Sequence, residues 1–362
     1  MLNIRKVSRY VVLALLNCWL LGCITPYQPE TKALAGKTLI VEGYITDQPG
    51  PHQINLSYTA DFTYTALNYI VEGAVVYVTD DQGQRQNFVG IGKGVYRTPA
   101  SFQGKVGRTY KLSIALPDGR RYESKPEKIT PVAPIDRIYD EYTEKPVDGG
   151  FGPDKGFNVY LDTKDPVTTG DYYRWVWTHF EPLKYCSIVT VHAPNGGNSV
   201  EYGLYCCDDC WDIIRCLDAN CINTKTDEQV NGNSISGQFV LRVPFTANSG
   251  YYLEIEQLAL SREAYLYYRN IENLTKSNGG IFDTAPASLR GNIVSVTTPG
   301  ETVIGYFSAS GAQKVPYVVD RTKGIGTPNF AYIPPPVPGA PPCSGCIESD
   351  YRTRIKPRWW PF

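Results

Sequence analysis

The feature that most restricts this chain is its punctuation. Between residues 38 and 130, turn signals interrupt short apolar runs at roughly 8–12-residue intervals. Thr38 to Thr46 is apolar-rich and closes on Asp47-Gln48-Pro49-Gly50. Ile54, Leu56 and Tyr58 alternate with Asn55 and Ser57, and Ala74 to Thr79 closes on Asp80-Asp81-Gln82-Gly83. Gly90-Ile91-Gly92-Lys93-Gly94 is another turn; Tyr110, Leu112 and Ile114 alternate again; Pro117-Asp118-Gly119 leads into Arg121 to Ser124. Alternation sends every second side chain to one face of a strand, and Asp, Gly and Pro supply the backbone angles of tight turns. No helix-period segment intervenes. The pattern predicts an immunoglobulin-like or fibronectin-like β-sandwich over 38–130.

Pro126, Pro131 and Pro134 mark a boundary. Beyond it, Ile135 to Tyr142, Phe157 to Thr163, Tyr172 to Phe180, Gln238 to Val243 and Tyr251 to Gln257 read as strands. Tyr173, Trp175 and Trp177 share one face, as sandwich core. Ser261 is placed to cap a helix over 261–276, where Ala264, Tyr267, Tyr268, Ile271 and Leu274 form a stripe at helical spacing, and Asn278-Gly279-Gly280 stops it. Gly291 to Val296 and Val303 to Ser308 read as buried strands of the same unit. The expected plan is mainly β: a second sandwich over 131–323, carrying a Cys-rich loop at 186–221 and the helix, then a Pro-rich tail over 324–362. A length of 362 residues accommodates two such domains.

The first 22 residues address the chain rather than fold it. Arg5, Lys6 and Arg9 precede a mostly apolar run, Tyr10 to Leu21, of 12 residues. That is short of the roughly 20 needed to cross a bilayer and suits a secretory signal. It ends in Leu20-Leu21-Gly22-Cys23, which is similar to a bacterial lipobox, with Cys23 as the lipidated residue. A plain signal peptide or uncleaved anchor is the alternative. Cleavage leaves 32 basic against 36 acidic residues. Ile24, where inner-membrane lipoproteins usually carry Asp, favours the outer membrane, with the leaflet open. Residues 23–37 read as a tether. The near-balanced charge gives no basic field for nucleic acid.

Eight cysteines then remain to be placed: Cys186, Cys206, Cys207, Cys210, Cys216, Cys221, Cys343 and Cys346. An even count in an exported chain points to disulfides, with the pairing open. Cys207-x-x-Cys210 and Cys343-x-x-Cys346 could instead hold zinc through four thiolates. A redox role asks for a helix start in a βαβ pattern, and neither pair has one.

Catalytic patterns are missing. His52, His179 and His192 form no His-Glu-x-x-His, and there is no Gly-x-Ser-x-Gly elbow or phosphate loop. Asp80-Asp81 and Asp208-Asp209 read as turn residues, with calcium as the alternative. Carboxylate pairs for glycoside hydrolysis need not be close in sequence and stay open. Tyr44, Tyr77, Tyr110 and Tyr160 lie in strands, where aromatic residues fit the pleated surface. Trp211 stands apart: it lies among Asp208, Asp209 and Asp212 in the cysteine-rich loop and is the candidate ligand or partner contact. Trp359, Trp360 and Phe362 are expected to dock the terminus onto the body. Asp283-Thr284-Ala285 resembles a short O-glycosylation acceptor.

Val41-Glu42-Gly43-Tyr44-Ile45-Thr46, Gly73-Ala74-Val75-Val76, Gly94-Val95-Tyr96 and Gly107-Arg108-Thr109-Tyr110-Lys111-Leu112 together carry a resemblance. So do Gly291-Asn292-Ile293 and Gly305-Tyr306-Phe307-Ser308. They resemble the bacteroidete lipoprotein family called domain of unknown function 4249. The resemblance implies a surface or periplasm-facing lipoprotein, often encoded beside a TonB-dependent receptor, with no known catalytic residues and no cofactor. The expected function is non-enzymatic ligand capture or assistance to such a β-barrel receptor. A structural or adhesive surface protein without transported ligand is the alternative.

Overall fold

The computed structural model describes residues 37–59, 69–147, 152–192, 199–216, 221–228, 230–276, 290–329, 333–338, 342–358 and 360–361. The signal segment with Cys23, the Asn278-Gly279-Gly280 stop, Asp283-Thr284-Ala285, Trp359 and Phe362 lie outside them.

The expected strands form. β1 (Leu39–Thr46), β2 (Gln53–Tyr58), β3 (Tyr69–Ile70), β4 (Val75–Asp80), β5 (Arg85–Gly92), β6 (Val95–Arg97), β7 (Thr109–Ala115), β8 (Arg121–Ser124) and β9 (Glu127–Lys128) make the first module. β5 serves two layers: its first half pairs with β4, its second half with β6. The two layers close on Leu39, Val41, Ile54, Leu56, Val76, Val78, Leu112, Ile114 and Tyr122, all buried. The Asp80 turn is tied by its own carboxylate, which accepts from the amides of Gln82 and Gln84 at 3.0 and 2.8 Å and pairs with Arg108 at 2.6 Å. Turn chemistry accounts for the Asp80-Asp81 pair.

The second module begins with β10 (Ile135–Lys145), β11 (Asp154–Lys164), β12 (Tyr172–Pro182), β13 (Tyr185–Val191), β14 (Val200–Tyr205), β15 (Trp211–Arg215), β16 (Asn223–Thr226), β17 (Ser234–Pro244) and β18 (Gly250–Leu260). One layer is β10-β11-β17. The facing layer has β18 and β12 at its centre, with β15 and β16 both pairing β12. Phe157, Val159, Leu161 and Val243 from the first layer pack on Tyr173, Trp175, Leu253 and Ile255 from the second. Trp175 is core, as its parity requires, and its indole donates to Gln257 at 2.8 Å.

Helix α1 (Arg262–Lys276) starts where expected. The Ser261 hydroxyl accepts from the Ala264 amide at 3.1 Å, a standard N-cap. Its apolar stripe does not enter either sandwich. Ala264, Tyr267, Tyr268 and Ile271 pack with Leu258 and Val176 of the second module and with Tyr44 and Tyr306 of the first. Aromatic side chains therefore fill the junction.

The chain then departs from the expected division. β19 (Ile293–Ser295) pairs with β8, and β20 (Val303–Ser310) runs parallel to β1 from Leu39↔Val303 to Thr46↔Ser310. These strands belong with 38–130, not with 131–323. β21 (Ala312–Asp320) then returns to the second module, beside β18. Parallel pairing needs a long crossover, and here the connection runs through the rest of the first module and through β10 to β18 and α1 of the second. The return strand fits because Gly305 (φ +109°) lies so close to β1 that a Cβ would sit 1.9 Å from the Val41 carbonyl oxygen. β22 (Arg352–Thr353), in the tail, pairs with β15.

Candidate functional site

The segment 186–221 is not a loop. β13 and β14 form a hairpin, and β15 joins the main sheet against Thr178 to Pro182 of β12. All eight cysteines pair: Cys186–Cys206, Cys207–Cys343, Cys210–Cys346 and Cys216–Cys221. The two Cys-x-x-Cys pairs do meet, as a zinc reading needs, but sulfur bonds to sulfur one to one. Two of these bonds each join residues 136 positions apart. They fasten the tail to the segment between β14 and β15, so the stretch read from the sequence as a loop-like Pro-rich tail becomes a wall.

Trp211 is corrected by its burial. It is 5% exposed, heads β15 opposite Pro182 and Thr353, and meets Trp360 edge-on at 6.1 Å. Trp360 also packs on Tyr252 at 5.1 Å, so this terminal aromatic does dock. The polar neighbours of Trp211 in sequence suggested a loop; the register instead puts the indole on the Phe180 face of the sheet, away from the Trp175 core, where Trp360 of the tail covers it and leaves no free face for a ligand.

The open surface lies next to it. A cleft of about 550 Å³ is lined by Asp212, Ile213, Ile214, Arg215 of β15 and by Ile347, Ser349, Tyr351 and Arg352 of the tail. The Ile213 amide donates to the Tyr351 carbonyl at 2.8 Å, which holds the two walls together. The Arg352 guanidinium donates to Asp212 at 2.7 Å and to the Cys186 carbonyl at 3.2 Å. Arg215 donates to the Asp350 carbonyl at 2.5 Å, and Arg97, from β6, pairs with the Asp350 carboxylate at 3.1 Å. The tail thus touches both modules. In the lining, Ile347 is 76% exposed, with Tyr351 and Ile214 also open to water, and Ile355 stands exposed further along the tail. None of these residues stood out in the sequence. The Ile-x-x-x-Tyr-x-x-x-Ile spacing from 347 to 355 was a signal only once the tail was known to be ordered by Cys343 and Cys346.

Other candidate chemistry resolves into structure. His179 lies on the face of Tyr251 with ring centroids 3.4 Å apart, its Nδ1 2.7 Å from the Tyr252 carbonyl and its Nε2 2.7 Å from Glu181. Both nitrogens are engaged. His52 is buried beside Phe102, and burial pulls its pKa down to about 4. Asp165, Asp171 and Asp227 come together, but each fixes local chain: Asp165 accepts from the Tyr173 hydroxyl and Gly232 amide, Asp171 from Thr168, Asp227 from the Gly170 amide. Asp208 and Asp209 do not join that group.

Fold and site together define a pair of β-sandwiches whose C-terminal segment is stapled by disulfides onto the segment between β14 and β15 of the second. The chain belongs to the family described as "Domain of unknown function (DUF4249)", whose pattern matches residues 24–315. The stapled tail falls beyond that match. No curated protein matches the chain. Among solved structures, a two-domain fibronectin type-III segment from chicken tenascin is similar at 13% identity, covering 62% of this chain and 92% of that one, with a TM-score of 0.16. An overlap that loose says nothing about strand order, which the pairing above defines.

Proposed function

We propose that the chain is a lipoprotein held to an outer membrane through Cys23, acting without catalysis as an accessory or ligand-capture subunit of a TonB-dependent receptor. The observation that carries the partner reading is the stapled cleft. Ile214, Ile347 and Tyr351 stand in water around backbone that two long-range disulfides hold in place. Exposed apolar groups grouped in one place favour docking, and a pre-ordered surface loses little conformational entropy when a partner binds. Four disulfides suit an oxidising compartment outside the cytoplasm. The Leu20-Leu21-Gly22-Cys23 run supports the anchor, which concentrates the protein beside other residents of the same membrane. Engagement of both His179 nitrogens and burial of His52 support a non-enzymatic reading, since neither imidazole is placed to take a substrate proton.

The test is affinity purification of the tagged protein from gently solubilised membranes. A β-barrel receptor should co-purify with the wild type and be lost with Tyr351→Ala plus Ile347→Asp. Recovery of no barrel in repeated preparations, or equal recovery with the double variant, would sink the reading.

A further inference from the structure

The outward face of the β10-β11-β17 sheet has a different chemistry from the stapled cleft. Along β11, Phe157, Val159 and Leu161 are buried, so Asn158, Tyr160 and Asp162 face out. The register sets Tyr139 of β10 opposite Tyr160, and Tyr160 opposite Phe239 of β17. Three aromatic rings therefore cross three neighbouring strands in one row, with centroids 5.6 and 5.9 Å apart. Phe239 is 40% exposed, and both tyrosines are half-buried. The guanidinium of Arg137 lies over the Tyr139 ring, 4.5 Å from its centroid, and lengthens the row by one more flat group.

The rows on either side are polar, and their cations are matched. Arg137 pairs with Asp162 at 2.9 Å. Arg242 donates to Asp154 at 2.8 Å, to the Asn158 side chain at 3.0 Å and to the Thr143 hydroxyl at 2.6 Å. The Asn158 amide donates to the Tyr160 hydroxyl at 3.3 Å. Parity adds Glu141 beside Asn158. Among the described residues, the outward side chains of these rows are aromatic or polar, in contrast to the isoleucines of the cleft.

We propose that this strip is a binding platform for a neutral polysaccharide. A sugar ring presents C–H groups on its faces and hydroxyls around its edge. Aromatic faces accept the former, and amides, carboxylates and hydroxyls bond the latter. Strands about 4.8 Å apart spread three rings over about 10 Å, the reach of roughly two sugar units. Both arginines beside the rings are already paired, and Lys164, of the same parity on β11, lies a row beyond Asp162, so the rings face little free positive charge for a polyanion. A packed protein interface asks for a dry apolar core, whereas these rings are hemmed by groups that stay hydrated. The platform does not depend on the receptor reading, because it occupies another sheet.

Native electrophoresis of the intact, oxidised protein tests it, in gels cast with laminarin, pullulan, galactomannan or, as the anionic control, alginate. At least one neutral polysaccharide should retard the wild type. Tyr139→Ala and Tyr160→Ala should weaken that affinity by about tenfold, the loss of one ring contact. Phe239→Ser, at an exposed position that leaves the core intact, should do the same and decides the matter if a tyrosine variant misfolds. Tyr351→Ala, in the cleft, should migrate like the wild type. No retardation by any neutral polysaccharide, retardation by alginate alone, or wild-type retardation of Phe239→Ser would overturn the proposal. So would strip variants that lose a protein partner while their migration in the polysaccharide gels is unchanged.

Discussion

Asn292 holds Phe307 by both backbone groups. Its side-chain oxygen accepts from the Phe307 amide at 3.0 Å, and its side-chain amide donates to the Phe307 carbonyl at 2.7 Å. One buried side chain thereby does the work of a strand partner on the edge of β20, the strand that returns from the second module to the first. Gly291 lets this happen: a Cβ there would lie 1.5 Å from the Gly305 carbonyl oxygen. The Gly291-Asn292 and Gly305 positions of the family-like motif thus hold two backbones together; no ligand is needed to explain them.

Asn292→Ala should therefore destabilise the protein by about 2–4 kcal/mol, because it orphans two buried backbone groups at once. Asn292→Asp should be no rescue at neutral pH. A carboxylate cannot donate to the Phe307 carbonyl and would stand beside buried Glu127. Urea unfolding followed by tryptophan fluorescence checks both; a loss under about 0.5 kcal/mol for Asn292→Ala would contradict the clamp.

The two long-range disulfides should be strongly non-additive. Either one alone closes a loop of 136 residues, worth about 5 kcal/mol in the chain-entropy account. The second then closes only the short ring between the two Cys-x-x-Cys segments, worth roughly 2–3 kcal/mol. Replacing Cys207 and Cys343 by Ser should cost about the smaller amount, and so should replacing Cys210 and Cys346. Replacing all four should cost about 7–8 kcal/mol, more than twice one pair, and should open the tail to trypsin, which non-reducing gels would show. Simple additivity would mean that the tail is held mainly by β22 and Trp360.

Stability should fall in acid through His52. Its folded-state pKa of about 4 lies below the ordinary 6.5, with burial as the main cause. Between those values the unfolded chain binds the proton and the folded one resists it. The contribution is present above about pH 6.5, is lost as pH falls through the window, and levels off below about 4. It amounts to roughly 3 kcal/mol at most. His52→Phe should flatten this part of the curve, measured as urea midpoints from pH 7 to 4; an unchanged slope would point to another group.

Much of this architecture was legible because its signals are local. Period-two alternation and Asp/Gly/Pro turns located β1, β2, β4 and β7, and Ser261 with its stripe located α1. The return of Ile293–Ser310 to the first module was not legible, since a buried apolar strand carries no mark of which sheet it enters. The site was harder still. Trp211 drew attention because its neighbours are acidic, yet the docked tail buries it under Trp360. Ile347, Tyr351 and Ile355 looked like loop residues, because only the Cys207–Cys343 and Cys210–Cys346 bonds give that tail a fixed surface. Tyr160 did carry a trace: it shares parity with Asn158 and Asp162 rather than with Phe157 and Leu161. Its alignment with Tyr139 and Phe239 needed the register.

The proposed lipidation of Cys23 has a direct test. Cells fed a clickable palmitate should yield a labelled mature protein whose intact mass begins at Cys23. Cys23→Ser should abolish the label and leave the chain unprocessed. A labelled Cys23→Ser variant, or an unlabelled wild type, would contradict the anchor.

The proposed docking of a receptor on the stapled cleft can be read by photo-crosslinking in living cells. A photoreactive phenylalanine at Tyr351 should give one covalent adduct with a β-barrel protein. The same group at Val167, exposed on a distant turn, should give none. Equal adducts from both positions, or none from Tyr351 with the protein correctly folded and membrane-bound, would contradict it.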